Sequence, residues 1–463
     1  MQSNYSQGPY LSWTRENNMT KLRPAACHHF CVPVNTVARK WRVFVCVFLA
    51  VTSFLFAEES CNRASEACGA KSSEVWIDAD YLLWCIKKNP VSVPLLTTAS
   101  LSDAIPGAIG QPGTHTLLGH TKMNMGWMNG FHVGLGSSIT PDFGVEASYF
   151  LLPRVSKTRS LSTSGEPGSQ NFAVPVFDVT GVLGLDGIPG ESEFILPGPI
   201  FGPGFFGRFK LRVSSRLQGA EIQGLYSAIQ EDRWKLDGLG GFRWFQLHES
   251  LSFKANSGSV PNYPFGAGFF NFSDQFITAN NFLAAQLGIN ASYLTGKWRF
   301  NGMLKGALGA MLEQIKIRGA SSTSGGNVFF LTQGTANENL PGGIFAEPSN
   351  IWTHKKTTFA GAFEAKVCSG YRITRHLEVN LGYTFLWISK LLRPGDQIDR
   401  KINSTLTALA DASRATVGTG PGPIPFGTPG PAPSPRGPKR PKALFKTTTF
   451  WAQGFDVGIT WNF

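Results

Sequence analysis

Along this 463-residue chain the clearest hydrophobic signal has a period of two. In residues 451–463 (WAQGFDVGITWNF), Phe455, Val457, Ile459, Trp461 and Phe463 fall on one face of an extended strand. Asp456, Gly458, Thr460 and Asn462 fall on the other, because successive strand side chains point to opposite sides. The same rule sets Phe143, Val145, Ala147, Tyr149 and Leu151 against Gly144, Glu146 and Ser148. It sets Leu377, Val379, Leu381, Tyr383, Phe385 and Trp387 against Glu378, Asn380, Gly382 and Thr384, and Leu287, Ile289 and Ala291 against Gln286, Gly288 and Asn290. A strand with one apolar face and one small polar face suits a wall between hydrocarbon and a wet interior.

Ten segments read as strands: 74–87, 126–139, 143–155, 212–229, 233–248, 276–294, 297–315, 357–373, 376–391 and 447–463. Pro141-Asp142, Glu231-Asp232, Gly296 and Thr374-Arg375 mark short turns. Five long connections, 88–125, 156–211, 249–275, 316–356 and 392–446, alternate with them without exception. Long loops on one end and short turns with both strand termini on the other predict an all-β fold. It is an antiparallel, up-and-down transmembrane β-barrel of about ten strands, with long external loops and short periplasmic turns. A soluble β-sandwich has no reason to keep its long loops on one end. In the barrel the final strand pairs with the strand near 74–87 and removes both sheet edges.

Composition agrees: 52 Gly, 29 Pro and 36 Phe with 16% charged residues favour turn-rich β structure. The one continuous apolar run, 43–57, follows Arg39, Lys40 and Arg42. As a helix it reaches only about 22 Å, short of a ~30 Å hydrocarbon core, and reads as the h-region of a signal peptide. Residues 1–57 are thus expected to be a leader (1–38 being an extension or an upstream start), 58–73 a periplasmic segment and 74–463 the barrel. Removing the leader leaves about +7 of the chain's +12 charge. No dense basic stripe with interleaved aromatics indicates nucleic acid, whereas a basic exterior favours anionic cell-surface material. Cys61 and Cys68 could pair in an oxidising periplasm, and Cys spacing gives no metal site.

The candidate lumen-lining set is Glu146, Arg243, Arg299, Lys305, Glu364, Lys366, Glu378 and Asp456, all placed inward because a Lys or Arg at mid-bilayer costs ~2–4 kcal/mol. Ten strands lie near the size that side chains fill, so these charges either cross-link the wall or line a narrow pore. Trp84, Trp127, Trp234, Trp298, Trp387 and Trp461 are expected in interfacial girdles. His132, His248, His376, His115, His120 and His354 are the possible bases for an embedded lipid-modifying enzyme, but none has a Ser/His/Asp context and no Gly-x-Ser-x-Gly elbow occurs. No enzyme, cofactor or metal is therefore expected. The apolar, Gly- and Pro-rich stretch 187–207 could cap the mouth, fold inward or lie on the outer leaflet. Residues 404–416 could form a short helix capped by Ser404 or Thr405. The run 419–442, with its Pro-rich, basic end, is expected to be a mobile polyproline excursion.

Several strings together resemble the bacterial outer-membrane family named putative beta-barrel porin 7. They run in order: 76–84 (WIDADYLLW), 95–98 (LLTT), 110–114 (GQPGT), Ser215-Arg216 with 219–221 (GAE), and 241–243 (GFR). Asn281-Phe282 with 286–288 (QLG), 306–309 (GALG) and 393–403 (RPGDQIDRKIN) complete the set, with 419–442 as an addition. The resemblance implies an outer-membrane barrel and, by its name, a porin, and brings no catalytic residues. The expected partners are outer-membrane lipid, small solutes, and the barrel-assembly machinery reading Phe455, Val457, Ile459, Trp461 and Phe463. A secreted soluble binding sandwich is the alternative.

Overall fold

The computed structural model describes residues 75–183, 188–194, 197–199, 204–261, 268–324, 338–411 and 434–463. The leader, Cys61, Cys68 and residues 419–433 of the Pro-rich run lie outside them. Among the described residues no helix is long and apolar enough to cross a membrane. Ten antiparallel strands form the wall: β1 Val75–Ile86, β2 Trp127–Ser138, β3 Phe143–Thr163, β4 Phe205–Gln230 and β5 Trp234–Ser259. They continue as β6 Phe269–Thr295, β7 Trp298–Ser324, β8 Trp352–Arg372, β9 Leu377–Leu392 and β10 Thr447–Asn462. Each pairs with its neighbours in sequence, and β10 pairs with β1 (Trp76 opposite Asn462, Asp80 opposite Gly458, Trp84 opposite Gly454), which closes the cylinder. Gly458 permits that approach, since a Cβ there would lie 2.1 Å from Asp80 Oδ1.

Outside, the wall carries an apolar band. Ile222, Phe242, Leu283, Leu287, Leu304, Leu308, Phe359, Val367, Leu381, Phe455 and Val457 are exposed, Leu287 by 75%. On β5 the band runs from Trp234 to about Trp244, roughly 25 Å at ~3.3 Å per residue and ~40° tilt, the height of the apolar band on transmembrane barrels. Trp127, Trp234, Trp298, Trp387 and Trp461 face outward. Trp84 does not: it points into the barrel, 5% exposed, and donates from Nε1 to Asp456 Oδ1 at 2.7 Å.

Six strands overrun their expected ends: β3 continues to 163, β4 starts at 205, β5 continues to 259, β6 starts at 269, β7 continues to 324 and β8 starts at 352. On these extensions the apolar phase inverts. Phe209, Leu211, Val213, Phe245, Leu247, Leu251, Phe253, Phe276 and Met311 point inward and are buried, while most outward positions are polar. The loops fill the space so enclosed. Residues Asn89–Thr98 pair antiparallel with Thr116–Met123 and with Phe172–Ala173, and Pro175–Asp178 pairs with Gly190–Glu193 and, in parallel, with Lys401–Ile402. Their Val91, Leu95, Leu96, Leu118, Val176 and Ile402, with Ile344, Phe345 and Ile398, are buried in the same cluster as the wall's inward residues. Rings meet across the join: Phe172 on Phe209 at 6.0 Å, Phe194 on Phe272 at 5.6 Å, and Phe345 on Phe253 at 6.2 Å.

The loop expectations change accordingly. Residues 404–416 do not make one helix in their described part: a 3-10 turn at Ser404–Leu406 is capped by Asn403, and a separate helical turn follows at 408–411. Residues 434–442 are not a free excursion, because the Asn403 amide donates to the Arg436 and Pro438 carbonyls and Arg440 pairs with Asp399 at 2.8 Å. In the stretch 187–207, Phe194 turns inward and is buried.

Candidate functional site

The loops packed inside the strand extensions form a plug, and below it the barrel keeps its polar inner face. On every wall strand the inward positions switch from polar to apolar partway up: Glu378, Asn380, Gly382 and Thr384 give way to Leu386 and Ile388 on β9, and Glu221 to Leu217 on β4. Arg243 gives way to Phe245 on β5, Lys305 to Ala307 on β7, and Asp456 to Ala452 and Phe450 on β10. The result is a vestibule of about 460 Å³. Its lining reaches Trp76, Thr140, Pro141 and Asn462 at the short-turn end and stops at Leu82, Trp84 and Phe150 below the plug.

All eight residues of the candidate lumen set line this one cavity. Glu221 joins Arg243 and Lys305, each at 2.6 Å, and Arg243 also reaches Glu364 at 2.6 Å. Lys366 bridges Asp80 at 3.5 Å and Asp456 at 3.7 Å, and His132 Nδ1 lies 3.1 Å from Asp80. Thr384 donates to Asp456 at 2.5 Å, and Arg299 meets Glu378 at 3.5 Å. Glu146 accepts from Gln223 Nε2 at 3.3 Å and, among the described residues, has no cation at ion-pair distance. Sequence reasoning left out Asp78, Asp80, His132, Glu221 and Asp237, though the strand period places each on the polar face of its segment. Counting them, eight carboxylates face five Lys and Arg side chains, an excess of three negative charges with His132 neutral.

The residues considered as catalytic bases are not brought together. His132 lies in the vestibule, His376 holds the Asn462 carbonyl at 2.8 Å in a short turn, and His354 stands on β8 with its Nε2 3.0 Å from the Asn350 carbonyl. His248 lies within β5 rather than at a strand end. Cys85 and Cys368 are free, on separate strands. Among the described residues no group of three His, Cys, Asp or Glu could hold a metal ion.

The plug is tied to the wall by polar contacts set in the apolar layer. Arg393, just after β9, donates from Nε to Glu249 Oε2 of β5 at 2.5 Å and from Nη2 to Glu249 Oε1 at 3.1 Å, and neither side chain is exposed. Glu249 also accepts from Ser215 at 2.7 Å and from Asn89 of the plug hairpin at 2.9 Å. The Arg393 guanidinium lies 5.4 Å from the centre of the Phe450 ring. Farther out, Asp274 of β6 accepts from the amides of Ile344 and Ala346, at 3.0 and 2.9 Å. Burial outweighs those donors and pushes its carboxyl up to about 7. Glu347 beside it is raised well above the usual carboxylate range, chiefly by burial and further by the charge of Asp274.

The chain shows a faint likeness to three solved structures. A Pseudomonas aeruginosa FadL homologue shares 8% identity over 84% of this chain and 90% of its own, at a TM-score of 0.21. A TodX deletion mutant, described as a monoaromatic hydrocarbon channel, shares 7% over 85% and 90%, at 0.18. OmpT of Vibrio cholerae shares 7% over 85% and 99%, at 0.11. Scores so low carry no argument, and the barrel rests on its own strand pairing. No curated protein sequence matches. Residues 76–463 match the family described as "Putative beta barrel porin-7 (BBP7)", so the chain belongs to that family of outer-membrane β-barrels.

Proposed function

We propose that this protein is a plugged porin, a passive outer-membrane conduit for small polar solutes that opens when the plug shifts. The observation that carries the reading is the vestibule: a charged, water-accessible cavity of about 460 Å³ at the short-turn end that stops at an apolar seal. A wall needing only internal struts has no use for such a cavity, whereas a conduit needs both the polar lining and a closure. The excess of carboxylates favours cations, as acidic rings do in cation channels. Export through the leader and assembly through the outward Phe455, Val457, Ile459, Trp461 and Phe463 edge complete the reading. Recording from the purified protein in planar bilayers tests it. Brief steps with cation preference are expected, and Glu146→Lys should shift the reversal potential toward anions. A rigid structural barrel, the competing reading, gives no steps in wild type or in a variant whose plug is loosened.

A further inference from the structure

Above the apolar band, the outer face of the wall extensions is basic without a single acid. On β4 the charged outward residues are Arg216, Arg212, Lys210 and Arg208, and on β5 Lys254 stands directly opposite Lys210. Both lysines are exposed, and like charges facing each other across a strand pair are unfavourable unless an anion joins them. Around the barrel, Lys316 and Arg318 of β7 and Lys355 of β8 share the outward face. No Asp or Glu occupies an outward position on β3 to β8 beyond the band. The contacts these groups make leave their charge intact: Arg216 donates to Gln218 at 2.6 Å, Arg212 to Ser156 at 3.3 Å, and Arg208 lies over Phe206.

Their height names the partner. Arg216 and Lys355 sit four residues beyond the outward Ala220 and Phe359, about 10 Å above the band at ~3.3 Å per residue and ~40° tilt. That is the level of lipid headgroups. Arg212 stands about 10 Å higher, and Lys210 with Lys254, then Arg208, follow in steps of about 5 Å, on a face continuous with the lipid-contacting wall. A flat phospholipid surface would engage only the lowest of these charges.

We propose that this face binds the phosphorylated headgroup of an outer-leaflet glycolipid, whose phosphates lie at the membrane surface and whose charged saccharide climbs the ladder of Arg212, Lys210, Lys254 and Arg208. The acyl chains lie on the band below. The site is independent of whether the lumen conducts.

Native mass spectrometry of the detergent-purified protein with added rough lipopolysaccharide tests this, with phosphatidylethanolamine and inorganic phosphate as separate arms. Saturable adducts with the glycolipid alone are expected, and Lys210→Glu/Lys254→Glu should weaken them about tenfold or more. Arg233→Glu/Lys297→Glu, an equal charge change at the short turns, should leave them unchanged. If the reversal variant fails to fold, as judged by heat-modifiable gel mobility, Lys210→Gln/Lys254→Gln takes its place with a smaller loss. Equal binding by both charge-reversal variants, or equal adducts with phosphatidylethanolamine, would overturn the proposal. So would loss of the glycolipid adduct to millimolar inorganic phosphate.

Discussion

Replacing Arg393 with Met should release the plug while leaving the wall standing. The substitution keeps an unbranched chain beside Phe450 but removes the cation from Glu249, which is fully buried with Ser215 and Asn89 as its remaining donors. Breaking a buried pair by deleting one partner costs about 3–5 kcal/mol, because the other charge is left uncompensated. The wall is held by backbone ladders that do not involve this side chain, so the cost falls on docking of the plug. A shift of that size multiplies the released population by about two to four decades. Hydrogen exchange at residues 393–411 should accelerate by a comparable factor while β1 and β10 amides stay protected, and bilayer recordings should show longer openings. Adding Glu249→Leu should recover most of the loss, since an apolar pair of similar volume is often neutral. Unchanged exchange in Arg393→Met, or a double variant looser than the single one, would refute the reasoning.

Two further outcomes follow from the same contacts. Asp274 titrates near 7 when folded, against about 4 unfolded. The folded protein therefore holds the extra proton between those values, and the docking of residues 343–347 is strongest below pH 4 and weakens as pH rises to 7. Exchange at those amides should be slower at pH 5 than at pH 8 after correction for intrinsic rates, and Asp274→Asn should reduce the difference, the raised carboxyl of Glu347 supplying the remainder. Leu287→Arg, at the most exposed large apolar position of the wall, should destabilise the refolded barrel in lipid by about 2–4 kcal/mol by chemical denaturation, whereas a solvent-facing site would lose almost nothing.

The wall and its polarity were legible because lipid on one side and water on the other impose a strict alternation, as in Phe455 to Phe463 and Leu377 to Trp387. The length of the strands was not. Beyond Trp244 the apolar positions move to the odd set (Phe245, Leu247, Leu251, Phe253), and a reading that expects one apolar face per strand takes that inversion for a strand end. The signal was present in Phe209-x-Leu211-x-Val213, alternating with Arg208, Lys210 and Arg212. The plug was hidden for a different reason. Its stability comes from contacts between residues far apart in sequence, such as Arg393 with Glu249, and no local pattern in 88–125 or 392–446 announces which wall they meet. Trp84 looked like a girdle residue because its place near a strand end was counted before its parity, which is that of Asp80 and Leu82.

Sidedness of access to the vestibule tests the central claim most directly. In a Cys61→Ser/Cys68→Ser/Cys85→Ser/Cys368→Ser background, Asn380→Cys reports the vestibule and Lys210→Cys the outer face. With a bulky, membrane-impermeant maleimide, intact cells should label Lys210→Cys at once, and Asn380→Cys only after the outer membrane is permeabilised. Labelling of Asn380→Cys in intact cells as fast as that of Lys210→Cys would contradict the plug and the orientation together.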